Sequence, residues 1–306
     1  MKHGWPDMPD APPAITEQQH KIIQRYIDRM PSLSTTVTKV LEICNRPDTS
    51  PNDLNRVISL DPVLTGQVLK LINSAYYSLP NQVGSLTRAI IMLGLNTVKN
   101  LALSTAILGT LGNEEAFHSL PMDEYWSHCL CVGVTAKLLA AKRRVPREQL
   151  EEFFVAGLLH DLGKIPMNSC FSEEYRQALT LADLEQGPLY RAEATIMGLD
   201  HTVVGRMIAE KWQLNPGLVN LMTFHHDRRS APEEIRPLVD MVALANGYAN
   251  VMAIGSAGDR YPDRLDFEDL LAEAGWDFEQ LKGLEETVRA EIDKAQVFLK
   301  VAKEAQ

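Results

Sequence analysis

The chain has 306 residues, 45% hydrophobic and 23% charged, with a mean hydropathy of −0.14. This is the composition of a globular protein with room for one large or two ordinary domains. A formal net charge of −10 and a pI near 5.3 argue against nucleic acid or an anionic membrane as the main partner. Cys44, Cys129, Cys131 and Cys170 are too few and too uneven for a disulfide framework or a zinc ribbon, and read as small hydrophobes in a reducing compartment. No apolar run reaches the length of a membrane span and no signal-peptide core opens the chain, so a cytoplasmic protein is expected.

Residues 1–14 hold four prolines and no periodicity, which predicts a flexible lead. Thr16 is placed to cap a helix with Ile22, Ile23, Tyr26, Ile27 and Met30 on one face, ended by Pro31. The next starts after Ser34, with Val37, Val40, Leu41 and Cys44 at helical spacing, and Asn45–Asp48 closes it. Ser50-Pro51, Asp61-Pro62 and Ser85 each read as a cap before a short helix. Gly94 stops the Ser85 helix, and Asn96 opens another running through Ala106. Nothing between residues 15 and 110 alternates with period two, so this part is a bundle of short helices.

A polar connection from Gly109 to Met122 marks an internal boundary. Asp123 then caps a long helix ending in Lys142-Arg143-Arg144, a basic cluster that the helix dipole explains. Arg147–Leu162 reads as one helix delivering His160-Asp161. Further helices are expected from Glu173 to Leu184, Pro188 to Met197, His201 to about Gln213, Pro216 to His225, and Glu233 to about Ile254. Asp266–Ala274 and Phe278 to about Lys303 follow, the last with Leu281, Leu284, Val288, Ile292, Ala295, Phe298 and Leu299 on one face. The expected division is residues 1–14, 15–110, 111–255 and a C-terminal extension, 256–306.

Six of the eight histidines fall between residues 118 and 226. Imidazole and carboxylate together suit a divalent transition metal (Fe, Mn, Zn or Co) better than Mg or Ca. A single histidine on an apolar face is usually a core residue; an unpaired cluster of them would be costly without a metal or partner. Convergence of His128, His160, Asp161, His201, His225 and His226 on one or two ions is therefore expected. Asp161 would bridge, Glu124 lies one turn before His128 and would ligate or orient it, and Lys164 would pair with Asp161 or polarise a phosphoryl oxygen.

The segments Met30-Pro31-Ser32-Leu33, Ile58–Leu64, Leu71-Ile72-Asn73-Ser74-Ala75-Tyr76-Tyr77 and Ala89–Asn96 resemble the HDOD domain, over roughly residues 25–255. The resemblance implies an all-α, multi-helix HD-like bundle with an N-terminal helical subdomain, of a bacterial signalling class related to HD phosphohydrolases. The order Glu124, His128, His160, Asp161, Lys164, His201, His225, His226 is similar to the HD-GYP branch, which degrades cyclic dinucleotides with metals. Two departures stand out. Asp227 is followed by Arg228-Arg229-Ser230-Ala231-Pro232 instead of a Gly-Tyr-Pro loop, and the late aspartate falls on Asn246, a weaker ligand. The resemblance thus implies a regulatory module acting through a signalling protein partner. The alternative is a metal-dependent phosphohydrolase or cyclic-nucleotide phosphodiesterase, with Asp161 and Lys164 catalytic and a nucleotide or cyclic dinucleotide as ligand.

Overall fold

Short helices with well-made N-termini build the first third of the protein. The computed structural model describes residues 17–44, 46, 48–111 and 119–304. The expected lead (1–14), the Thr16 cap, Asn45 and Pro47, and residues 112–118 of the expected connection lie outside these. The elements are α1 (Glu17–Arg29), α2 (Thr35–Cys44), α3 (Pro51–Ile58), α4 (Pro62–Ile72), α5 (Leu86–Leu93) and α6 (Leu95–Leu111). Ser50 and Asp53 form a reciprocal capping box at α3, Asp61 accepts from the Leu64 N–H at α4, and Ser85 accepts from the Arg88 N–H at α5. Each such cap is worth about 0.5–2 kcal/mol. Between α5 and α6 the axis turns by 117°, at Gly94, whose φ of +88° suits glycine.

The second part holds α7 (Met122–Lys142), α8 (Leu150–Leu159), α9 (Lys164–Cys170), α10 (Ser172–Glu185), α11 (Leu189–Met197), α12 (His201–Lys211), α13 (Pro216–Phe224) and α14 (Arg236–Val251). Two boundaries differ from expectation. Pro121, not Asp123, precedes α7, and Asp123 sits in the first turn, where its charge still favours the dipole. Arg147–Gln149 form a separate tight turn before α8, so residues 147–162 are not one helix.

Helices α7 and α8 cross with almost no space between their backbones. A Cβ on Gly157 would lie 2.7 Å from the Gly133 Cα, so two glycines at the crossing let the helices touch. This contact sets His128 of α7 against the end of α8. Gly163 serves similarly at the start of α9, where a Cβ would collide with the His201 carbonyl of α12.

The chain ends in α15 (Arg264–Ala274), α16 (Phe278–Lys282), α17 (Glu285–Ala295) and α18 (Val297–Lys303). The expected single C-terminal helix is thus three pieces, the first closed by Gly283. Its apolar stripe is docked: Leu281, Leu284, Val288, Ile292, Ala295 and Phe298 are buried and Leu299 partly so. Helix α17 lies on α7, and α18 lies on α4 and α6. At the joint Tyr76 meets Phe298 edge-on at 5.1 Å and Phe154 of α8 at 5.2 Å. Lys137 donates to the Tyr76 hydroxyl at 3.0 Å and pairs with Glu151. The Asn-Ser-Ala-Tyr-Tyr segment therefore ties the N-terminal helices to α8 and α18. Among the described residues there is no strand, and no single helix is long and apolar enough to cross a membrane.

Candidate metal centre

Helix ends deliver most of the site. His160 caps the C-terminus of α8, Asp161 follows it, and Lys164 opens α9. His201 is the first residue of α12, held by Asp200, whose carboxylate accepts from the N–H groups of Thr202 and Val203. His225 caps α13 and His226 follows. His128 comes from within α7. His128, His160, Asp161, Lys164 and His201 are wholly buried, and His226 alone of the ligand set is partly exposed.

Asp161 is the hub. Its Oδ1 lies 3.3 Å from His201 Nε2 and 3.6 Å from His225 Nε2. Its Oδ2 lies 3.3 Å from His160 Nε2, 3.8 Å from His128 Nε2 and 2.8 Å from Lys164 Nζ. The donors fall into two groups that share Asp161, one with His128 and His160, the other with His201, His225 and His226, each within 4.8 Å. A bridging carboxylate between two ions has this layout.

The hydrogen bonds fix which ring nitrogens are bare. His160 Nδ1 donates to the Gly157 carbonyl at 2.7 Å, His225 Nδ1 to the Leu221 carbonyl at 3.3 Å, and His201 Nδ1 to Glu193 at 2.6 Å. Each Nε2 then carries a lone pair directed inward. His201 Nε2 lies 3.2 Å from His225 Nε2 and 3.1 Å from His226 Nε2. With one lone pair, His201 Nε2 accepts at most one hydrogen bond, so at least one of these contacts sets lone pairs face to face. Among the described residues, buried His160 Nε2, both His128 nitrogens and Asp161 Oδ1 have no hydrogen-bond partner. A divalent cation in each group would be met by His160 Nε2, Asp161 and one nitrogen of His128 on one side and by the inward Nε2 atoms on the other, so the residues present fit a metal.

The electrostatics agree. Burial drives the His128 imidazole down to about 3 and His225 down to about 4, keeping both in the neutral, ligating form. Burial also holds His226 well below its ordinary value. For His201 burial pulls downward most strongly, but Glu193 and Asp161 together outweigh it and the net displacement is upward. Burial likewise opposes ionisation of Asp161, yet His160, Lys164 and His201 hold it well below the usual carboxylate range. Lys164, penalised by burial, is kept cationic by Asp161.

Two expected ligands stand apart. Glu124 is exposed, so its carboxylate does not join the cluster; its backbone carbonyl accepts from the Ser256 N–H at 2.9 Å. The loop after α14 covers the face between Glu124 and His128: a Cβ on Gly255 would collide with the His128 amide and the Glu124 carbonyl. Asn246 of α14 does face the site, buried and close enough to His128 to favour its protonated form without completing a hydrogen bond. The Cys129 and Cys131 thiols are buried, as expected of small core residues.

Three residues were not evident from sequence. Glu193 of α11, wholly buried, orients His201. Asp259 accepts from the Leu189 N–H through Oδ1 at 2.9 Å, with Oδ2 4.0 Å from His226 Nε2. The Tyr190 ring stacks on His226, centroids 4.5 Å apart and planes 18° apart. Tyr190 and Asp259, with Asn246, Asp263 and Asp266, line a cleft of about 50 Å³ that reaches the centre at His226. Where a Gly-Tyr-Pro loop is absent, Arg228 is buried instead and pairs with Asp266 at 2.9 Å and Glu273 at 2.6 Å, fastening the connection to α15.

An all-α bundle that gathers a histidine, a His-Asp pair and later histidines around one carboxylate is an HD-like protein with a candidate metal centre. The sequence model of the HDOD domain matches residues 30–228, and the chain belongs to that family. It is similar, at 27% identity over 238 residues, to an uncharacterized protein of Treponema pallidum (strain Nichols), covering 76% of this chain and 45% of that one. The chain thus spans about half the length of this curated relative. An HDOD domain protein of unknown function from Geobacter sulfurreducens is 26% identical, with a TM-score of 0.68 over 92% of this chain and 97% of that one. A candidate phosphohydrolase from Shewanella amazonensis SB2B is 23% identical, with a TM-score of 0.67 over 92% and 98%. A candidate signal transduction protein from Marinobacter aquaeolei VT8 is 17% identical, with a TM-score of 0.68 over 93% and 66%. The last two share the fold.

Proposed function

We propose that this chain is a regulatory HDOD module built around a buried centre of one or two divalent transition ions, acting on a signalling protein partner in the cytoplasm. The observation that carries this reading is the pair of donor groups sharing Asp161, with bare imidazole nitrogens directed at each other. Fe, Mn, Zn or Co fits the His/Asp donors.

When bound, the ion supplies Lewis acidity and a cross-link between the segments that ligate it. The chain's own residues do the rest. Asp161 joins the two donor groups, Glu193 fixes the tautomer and orientation of His201, and Lys164 balances the charge of Asp161. The ligands come from α7, the end of α8, α12 and the end of α13, so occupancy bears on how these helices pack. Helix α8 also carries Phe154 at the joint with Tyr76 and Phe298. Metal state is thereby linked to the N-terminal helices and to α18.

The cleft argues for a module over a phosphodiesterase. At about 50 Å³ it is far below the roughly 300–1,000 Å³ typical of small-molecule sites. Among the described residues no Lys or Arg lines it, so the lining offers no cation to a phosphodiester. The neutral Asn246 further weakens the donor group of His128. The 2.8 Å contact between Asp161 and Lys164 favours the second reading, a metal-dependent phosphohydrolase or cyclic-nucleotide phosphodiesterase, with those two residues catalytic.

Elemental analysis of protein purified without added metal, with an assay on bis(p-nitrophenyl) phosphate, separates the two. Bound transition metal without turnover is expected. Turnover lost on His160→Ala would transfer the chain to the enzyme reading, and failure to take up any of the four metals would remove the centre.

A further inference from the structure

The connection from α7 to α8, Lys142-Arg143-Arg144-Val145-Pro146-Arg147, holds four cations and no acid. All four are exposed, and none joins an ion pair among the described residues. The dipole of α7 accounts for cations in its last turn, but Arg147 lies beyond that helix, in the tight turn before α8. In a chain of net charge −10 the cluster is a local reversal of sign. The backbone divides its side chains. The Arg144 N–H bonds to the Ala141 carbonyl at 3.0 Å and the Val145 N–H to the Ala140 carbonyl at 3.1 Å, a helix-ending pattern with Arg144 at a φ of +61°. Arg144 is left in solvent, and Val145 turns toward a cavity.

That cavity, of about 290 Å³, lies between this connection, α8 and the α14–α15 pair, apart from the metal ligands. Val145, Phe153, Met241, Leu244 and Leu270 give it apolar walls. The carboxylates in its lining are already answered. Glu273 pairs with Arg228 at 2.6 Å, and Asp240 lies 3.6 Å from Arg228 with Arg236 also in range. The charges left open to a partner are therefore the four cations of the connection, one of which, Arg143, also lines the cavity. Exposed cations beside an apolar cavity match an apolar anchor flanked by carboxylates. Burial of the anchor supplies the affinity, and the surrounding charges supply steering and register.

We propose that this face docks an acidic peptide segment of a protein partner, with an aromatic or leucine side chain in the cavity and flanking carboxylates on Arg144 and Arg147. The site supplies the surface for the partner of the module reading and rests on that reading, whichever ion is bound. Leu244 walls the cavity while Asn246 of the same helix lines the metal cleft, and Leu270 of α15 borders both. A docked segment bears on the helix that carries Asn246, so partner and metal centre meet through α14.

The test is selection from a random peptide library displayed on phage against the full chain, followed by titration of the enriched peptide by fluorescence polarisation. Enriched sequences with Asp and Glu around a Phe, Trp or Leu are expected. Arg144→Glu with Arg147→Glu should weaken their binding by about tenfold or more, and added salt should weaken it too. Leu244→Trp, which fills the cavity, should abolish it. Both arginines are exposed, so the charge reversal remains readable even where Leu244→Trp fails to fold. No enrichment, enrichment of neutral or basic sequences, or undiminished binding by the folded double variant overturns the proposal. So does self-association of the free chain, or its capture by phosphatidylglycerol vesicles, that the same two substitutions abolish; the face then serves a second copy or a membrane. Metal content and phosphodiester turnover, read separately on the same protein, tell failure of the module reading from failure of this site.

Discussion

Glu193 receives both the backbone N–H and the ring Nδ1–H of His201 on one carboxylate oxygen, at 3.0 and 2.6 Å. The double contact fixes the ring's rotation and leaves Nε2 bare toward Asp161. Partners of this kind hold metal-ligating histidines in place, and their loss typically weakens metal binding by about 10–100-fold. Glu193→Gln should therefore lower affinity by that order, measured by chelator competition, with little change in helix content. Unaltered affinity would mean that Glu193 only fills space.

Replacing His160 and Asp161 together with alanine takes one donor and the shared carboxylate from the centre. The chain should lose its bound metal and, with it, the stabilisation that binding gives the native state. That is about 2.7 kcal/mol at a free-ion concentration of 100 Kd. The melting temperature in saturating metal should fall toward that of the chelated wild type. A double variant with full metal content would show that the donors do not converge.

Asn246 offers a neutral amide where a carboxylate would bind a cation more strongly. Asn246→Asp should raise metal stoichiometry or tighten the weaker ion, as read by elemental analysis after dialysis. If metal content stays the same, the side chain does not reach the ion held by His128 and His160.

The metal-free protein should be acid-labile well above the carboxylate range. In the unfolded chain His128 and His225 take up protons near 6.5, whereas in the folded chain they do so only near about 3 and about 4. Between these values the unfolded state binds more protons, so stability rises with pH and is lost as pH falls below 6.5. Each group contributes up to about 1.4 kcal/mol per pH unit in that window. His226, also depressed, adds to the loss. His201 is raised, so its contribution is complete below 6.5 and does not offset the slope there. Asp161 extends the loss below its ordinary 3.8. Urea unfolding of chelated protein from pH 7 to 4.5 should show the midpoint dropping steadily; a flat profile would contradict the burial of neutral imidazoles.

Phe298 is buried against Tyr76 and Phe154 at the joint between the N-terminal helices, α8 and α18. Phe298→Ala should cost about 3–5 kcal/mol, seen in the urea midpoint. Deleting residues 276–306 exposes the apolar surface beneath and should produce self-association in ultracentrifugation. A truncated chain that stays monomeric and equally stable would show that the C-terminal helices are dispensable.

The sequence by itself determined the helical class, most helix starts, and the residue types at the centre. The capping side chains Ser50, Asp61 and Ser85 bond to N–H groups three residues on, and such local hydrogen bonds are written in local sequence. The order of His128, His160-Asp161, His201 and His225-His226 was likewise legible, because few physical roles other than convergence account for that set. The tertiary structure alone decided which side chains reach the centre. Glu124 and His128 share a helix face on paper, yet His128 is buried while the Glu124 carboxylate stands in solvent, and the backbone at Gly255 packs against the turn that joins them. Glu193 lies four residues from both Leu189 and Met197 on the buried face of α11, a spacing that marks it as inward but cannot name His201 as its partner. Asp259 reaches the cleft only because its loop returns to α11, 70 residues earlier, where the Leu189 N–H holds it. Contacts of that range depend on how the helices pack, and the Gly133–Gly157 crossing, set by shape rather than by any local pattern, brings His128 to His160 and Asp161.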